Sequence, residues 1–168
     1  MVRMTHSKWL GFGLLVMLST AFAACSLSDF SYERSKLVSE ILDVQIDISA
    51  QLLKLETDRD ALALGAGSVN CSPEESRATY QKVTAKLRSI SDEGTRLKIA
   101  GSFQADIEGV IEEWSTLERR HDSFWRDSAD TANLSTNERC MRPTALALTR
   151  LTIEKKIIAA AKAALPHG

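Results

Sequence analysis

The sequence predicts an all-α fold, an antiparallel up-down-up-down four-helix bundle that follows a cleaved signal peptide. Four segments of the 168-residue chain repeat apolar residues at helical spacing. Only 8 glycines and 3 prolines are present, and a fold of many short strands would need more turn residues. The segments are joined by short turns, which place consecutive helices antiparallel. The length suits a single domain.

The first helix is predicted over residues 32–64. Its core stripe steps by three and four residues through Leu37, Ile41, Val44, Ile48, Leu52 and Leu55, and Leu62 follows two helical turns later. We expect four further apolar residues to widen this stripe toward the core, namely Val38, Leu42, Leu53 and Leu64. The alternation over residues 44–48 favours a strand by itself, but the longer helical pattern outweighs it. The glycines at 65 and 67 predict the helix end.

The second helix begins with a capping box. Ser72 can accept a hydrogen bond from the third amide of the helix, while Glu75 reaches back and Pro73 occupies the first position. The stripe that follows consists of Tyr80, Val83, Leu87, Ile90 and Leu97. Gly94 and Gly101 predict a turn or kink between residues 92 and 102.

The third helix has the most regular apolar period in the chain. Its residues alternate steps of four and three, as in a coiled-coil seam, and are Phe103, Ile107, Val110, Trp114, Leu117, His121 and Phe124. The polar segment DSADTAN, residues 127–133, is predicted to form the loop after it.

The last helix is predicted to start at a second capping box, residues 135–138. Pro143 either kinks this helix or restarts it as a first-turn proline. Its apolar residues are Leu146, Leu148, Leu151, Ile153, Ile157, Ile158 and Leu165. Pro166 ends it.

The N-terminus has the pattern of a secretory signal peptide. Arg3 and Lys8 precede an apolar run over residues 9–18, and small residues follow up to Ala24. Residues 9–24 are too few to cross a bilayer, which takes about 20 residues. Cleavage is possible before Ala24, by the A-x-A rule, or before Cys25.

The segment Phe22-Ala23-Ala24-Cys25 resembles the lipobox of bacterial lipoprotein precursors, with phenylalanine where leucine is usual. The resemblance covers residues 1–25. It implies that residues 1–24 are removed and that Cys25 is lipidated and carries palmitate. Residues 25–31 would then be a short tether and residues 32–166 the bundle domain. Ser26 implies the outer membrane.

The number of cysteines bears on the cleavage site. Export leads to an oxidising compartment, where free thiols are unusual. If Cys25 carries lipid, Cys71 and Cys140 remain as a natural pair, and the predicted topology places both at the same end of the bundle. If cleavage falls before Ala24, one thiol remains. We therefore favour lipidation at Cys25 and a Cys71–Cys140 disulfide.

Charge and motifs exclude several function classes. Removal of residues 1–24 takes away two of the 21 basic residues and none of the 22 acidic ones, so the remaining chain has a net charge of −3. No basic stripe is left for nucleic acid. Glu118 and His121 have the Glu-x-x-His spacing of di-iron bundles, but the motif occurs once and His121 falls on the apolar seam, which favours a structural histidine. We predict no enzyme activity, no cofactor and no metal.

These observations predict a non-catalytic envelope lipoprotein whose bundle faces the periplasm and binds another protein. Envelope assembly, toxin inhibition and exclusion are all consistent with it. Trp125, beside Phe124 at the end of the bundle away from the membrane, is the predicted partner contact. Packing of Trp125 beneath the neighbouring loop or against the disulfide is the competing interpretation. The alternative function is a small-molecule sensor or carrier, because bundle cores can hold ligands.

Overall fold

The computed structural model describes the backbone of residues 7–64, 71–129 and 140–165, and the side chains of residues 30–61, 63–64, 71–126 and 140–165. Within these ranges the chain forms four α-helices and no strand. They are α1 (Ser7–Ala63), α2 (Pro73–Arg96), α3 (Gly101–Ala129) and α4 (Pro143–Ala164). The predicted all-α four-helix fold is confirmed.

Each helix packs against the next one in the chain, and α4 closes the bundle by packing against α1. Consecutive helices are therefore antiparallel neighbours, as in an up-down-up-down bundle. Ion pairs cross two of these seams. Asp47 of α1 meets Lys82 and Lys86 of α2, and Glu56 of α1 meets Arg150 of α4 at 3.0 Å. The hydrogen bond from Lys86 is the main cause that lowers the pKa of Asp47.

The core contains the predicted stripes of α2 and α3 almost unchanged. All the predicted α2 positions and the α3 positions up to His121 are buried. From α1 the core takes Leu37, Ile41, Val44, Ile48, Leu52 and Leu55, and from α4 it takes Leu146, Ile153, Ile157, Ala160 and Ala164. The largest fully buried side chains are Trp114, Tyr80 and Phe103, which come from α2 and α3.

The predicted widening of the α1 stripe toward the core is wrong at three of its four positions. Leu42, Leu53 and Leu64 are exposed, and only Val38 packs against the core. On α4, four of the seven apolar residues named above, Leu148, Leu151, Ile158 and Leu165, are also exposed. The physical reason is that both helices have apolar residues on two opposite faces, and only one of these faces meets the bundle.

The helix ends differ in detail from the predictions. The Ser72 hydroxyl accepts from the amide of Glu74, the second residue of α2 rather than the third. Pro143 restarts the chain as the first residue of α4. α3 runs on to Ala129, so the first part of the predicted loop is helical. The capping box predicted at residues 135–138 lies outside the described residues.

The turn between α2 and α3 falls inside the predicted window, at residues 97–100. Lys98 has a positive φ of 49° there. The amide of Lys98 donates to the carbonyl of Thr95 and the amide of Ile99 donates to that of Gly94. This is the Schellman pattern, with lysine in the left-handed position that glycine usually takes.

α1 begins at Ser7 and not at residue 32, so the segment predicted to be signal peptide and tether continues the first helix. The side chain of Cys25 lies outside the described residues. Among the residues that the structure describes well enough to test, no helix is long and apolar enough to span a membrane.

Candidate partner-binding site at the disulfide end of the bundle

A disulfide joins Cys71, just before α2, to Cys140, just before α4. The two Cα atoms are 5.4 Å apart, which lies within the usual range for a disulfide. Both cysteines are buried, and so is Met141, the residue after Cys140. The bond ties the starts of two helices together at the end of the bundle where α1 and α3 finish.

His121 is buried below this disulfide and is fully hydrogen-bonded. Its Nε2 lies 2.8 Å from the backbone carbonyl oxygen of Cys71, and its Nδ1 lies 3.1 Å from the hydroxyl of Tyr80. The carbonyl can only accept, so Nε2 carries the proton and Nδ1 accepts from Tyr80. Burial is the main cause that raises the pKa of Tyr80, with help from Glu118 and Asp122, so its hydroxyl stays protonated. This arrangement holds His121 as a neutral imidazole.

The buried state of His121 predicts a pH-dependent stability. Burial is the main cause that lowers its pKa below the ordinary 6.5. As the pH falls below about 6.5, the unfolded chain takes up a proton that the folded chain refuses, so the free energy of unfolding should fall by up to about 1.4 kcal/mol per pH unit until the folded pKa is reached. Denaturant unfolding of the wild type and of His121→Gln at pH 7.5 and 5.0 tests this. Equal pH dependence in the two proteins would contradict it.

Two further buried hydrogen bonds hold the helices in place around His121. The indole Nε1 of Trp114 donates to the backbone carbonyl of Tyr80 at 3.2 Å, which fixes α3 against α2. The amide of Gln51 donates to the hydroxyl of Ser76 at 2.7 Å, which fixes α1 against α2. Buried polar groups that are all paired favour one arrangement of the helices. The disulfide end of the bundle is therefore a rigid support.

A groove of about 330 Å³ lies on the outside of this support, between the start of α2 and the last turns of α3. Trp125 is half-buried in its wall. The groove is lined by Ser72, Pro73, Glu74, Arg77, Asp122, Trp125 and Arg126. Arg77 pairs with Glu74 at 2.9 Å, and both side chains are more than half exposed. The groove thus combines an aromatic ring with charged groups of both signs.

The predicted site residues are partly brought together. Cys71 and Cys140 are bonded, and Trp125 lines the groove just outside their helix starts. Phe124 is half-buried beside it in sequence. Residues 65–70 and 130–139, which connect α1 to α2 and α3 to α4, lie outside the described residues. Sequence reasoning missed Tyr80 as the partner of His121, although both lie on core stripes near the same end of the bundle.

No group of three or more His, Cys, Asp or Glu side chains that could hold a metal ion occurs among the residues described. His121, the one histidine among them, has both ring nitrogens engaged by Cys71 and Tyr80. The hydrogen bonds around it stabilise a packed interior and leave no nitrogen of this ring for a reacting group.

Comparison with known proteins identifies no family for this chain. No protein-family model matches it. No solved structure matches it either.

Proposed function

We propose that this protein is a non-catalytic outer-membrane lipoprotein, anchored by lipid on Cys25, whose periplasm-facing bundle binds another protein. The lipobox-like segment before Cys25 and the single leftover cysteine support the anchor. The groove beside Trp125 supports protein binding and is the observation on which the proposal chiefly depends. Its partner would place an apolar group against the indole and charged groups against Arg77, Arg126 and Asp122.

The position of Trp125 favours recognition over simple packing. Trp125 stays partly exposed, whereas Trp114, in the same helix, is completely buried. Partly exposed tryptophans in a rigid setting are typical anchors of protein interfaces. The buried hydrogen bonds of His121 hold α3 against α2, and the disulfide ties the start of α2 to the start of α4, which lowers the ordering cost of binding.

The core favours a protein-binding bundle over a small-molecule carrier. A carrier of this class needs a sizeable apolar cavity between its helices. The centre of the described core is instead filled by Tyr80, Phe103 and Trp114, each with at most 1% of its surface exposed.

We predict that Trp125→Ala weakens the complex with a partner found by pull-down by about 2 kcal/mol or more, because the variant removes the ring that anchors the groove. The helical circular dichroism signal should stay intact, since Trp125 is outside the buried core. The matched control is Glu112→Ala, an exposed change on the side of α3. If Trp125→Ala binds normally and Glu112→Ala abolishes binding, the partner uses the side of α3 around Glu112 instead of the groove.

We also predict that the mature protein begins at Cys25 and carries lipid, which mass spectrometry of the membrane-extracted protein would detect. Cys25→Ser should strand the precursor or release a soluble form cut before Ala24. An unmodified N-terminus at Ala24, or an intact signal segment in the wild type, would refute the anchor. It would leave the groove at Trp125 to be tested separately.

A further inference from the structure

α1 and α4 each have a second apolar stripe that does not meet the bundle. On α1 the exposed residues are Leu42, Ile46 and Leu53, and on α4 they are Leu148, Leu151, Ile158 and Leu165. Each of them exposes between 47% and 67% of its surface. Singly exposed leucines are ordinary on protein surfaces, but a contiguous set on neighbouring helices indicates an interaction surface.

The two stripes lie on one side of the bundle. α1 and α4 pack against each other, and the Glu56–Arg150 ion pair sets their antiparallel register. Counting 100° per residue from the buried faces, Leu42 and Leu53 lean toward α4, while Ile158 and Leu165 lean toward α1. In this register Leu42 is level with Leu165. We call the combined surface the α1–α4 face.

The exposed outward charges along most of this face are basic. The exposed outward positions of α1 are uncharged over more than seven turns, and comprise Tyr32, Ser35, Ser39, Leu42, Ile46, Ala50, Leu53 and Thr57. The outward positions of α4 have two exposed charges, Lys155 and Lys162, and both are basic. Three acidic groups lie near these positions: Asp43 on the α2 side of α1, the half-buried Glu154 in the seam between α4 and α1, and the exposed Asp60 one turn beyond Thr57.

We propose that the α1–α4 face docks on the surface of a bilayer containing anionic phospholipid, so that the bundle lies along the membrane. Exposed leucines and isoleucines with interspersed lysines are the pattern of helices that lie in the membrane interface. The lysines attract anionic headgroups, and the uncharged stripe of α1 can enter the headgroup boundary without burying a charge. Tyr32 begins the stripe only seven residues after Cys25.

The same charges disfavour a second copy of the chain as the occupant. In a two-fold dimer through this face, Lys155 and Lys162 of each copy would approach the same patch of the other. Like charges at the centre of an interface oppose association.

The face docks without involving the groove at Trp125, which stays open to a partner. The inference goes beyond the proposed anchor and does not require it.

The experiment compares two spin labels on the full-length protein as isolated from membranes. Ala50→Cys places a label on the α1–α4 face, and Ala105→Cys places a matched label on the outward side of α3; both alanines are exposed. The protein is reconstituted in vesicles of phosphatidylcholine with or without 30% phosphatidylglycerol, and label depth is read from accessibility to oxygen and to a water-soluble nickel chelate. With the anionic lipid, we expect the label at position 50 to enter the interface and the label at 105 to remain aqueous.

Charge variants provide the second measurement. Each lysine near an anionic surface contributes about fivefold to binding, so Lys155→Gln with Lys162→Gln should lower the ratio of inserted to aqueous label at position 50 by about thirtyfold. The control pair Arg88→Gln and Arg119→Gln removes two exposed positive charges from α2 and α3 and should leave the ratio unchanged.

Three outcomes would overturn the proposal. Labels at positions 50 and 105 that are equally aqueous would show that the face does not dock. Dipolar broadening between labels at position 50 without vesicles would show that a second copy covers it. Equal insertion of the label at position 50 into purely zwitterionic vesicles would show that the lysines do not contribute to docking. Mass spectrometry of the same samples separates this result from the anchor, because the label can insert whether or not Cys25 carries lipid.

Discussion

Replacing both Cys71 and Cys140 with alanine is expected to lower the free energy of unfolding by about 4 kcal/mol. The bond closes a loop between cysteines 69 positions apart, and the chain-entropy relation gives about this value for such a loop. Because natural domains are stable by about 5–15 kcal/mol, the loss is a large part of the total. Urea unfolding of the oxidised wild type and the double variant measures it.

Treatment with a reductant provides the control for this prediction. Reduction of the wild type should lower its unfolding midpoint to near that of the double variant, whereas the double variant should not respond. If the oxidised wild type and the double variant share one midpoint, the bond contributes nothing. The double variant should also weaken partner binding at the groove. Without the disulfide residue 71 is held less firmly, and its backbone carbonyl is the group that fixes His121.

The fold of α2 and α3 could be predicted closely because each has a single apolar stripe. Positions from Tyr80 to Leu97 and from Phe103 to His121 repeat at one helical phase, and they are the buried positions. α1 and α4 were harder because their apolar residues fall in two phases. Periodicity states which residues share a face, but it does not state whether that face meets the core or lies outside. Leu42 and Leu53 of α1 were therefore predicted to face the core and are exposed.

The site was predictable where covalent chemistry constrained it. Cysteine parity, with Cys25 taken as lipidated, and antiparallel topology favoured pairing Cys71 with Cys140, and the disulfide is present. The groove could not be foreseen, because the exposure of Trp125 depends on how the start of α2 lies beside the end of α3. The hydrogen bond between Tyr80 and His121 joins residues 41 positions apart, and neither residue lies in a local sequence motif that indicates this contact.

Gly94 was correctly linked to a turn, but the sequence did not show that it also has a role in helix packing. Gly94 and Gly101 predicted a turn, and the turn lies between them, yet Gly94 is itself a buried residue of α2. A Cβ atom at position 94 would lie 2.0 Å from Cε1 and 2.7 Å from Cδ1 of Phe103. Phe103 is completely buried. The missing side chain lets the first turn of α3 pack against α2.

Gly94→Ala is therefore expected to lower the free energy of unfolding by about 3 kcal/mol, near the upper end for overpacked cores. Helix propensity alone predicts the opposite, a gain of about 1 kcal/mol. The sign of the change measured by urea unfolding thus decides which effect dominates. Gly101→Ala is the matched control, because a Cβ there meets nothing within 4 Å, and it should cost no stability.

A double-mutant cycle identifies the cause of the loss. Phe103→Leu removes the ring edge that the new methyl group would meet, so Gly94→Ala should cost at least 1 kcal/mol less in the Phe103→Leu background than in the wild type. If the two changes add without interaction, the clash with Phe103 is not the source. If Gly94→Ala stabilises the protein, Phe103 does not pack closely against position 94.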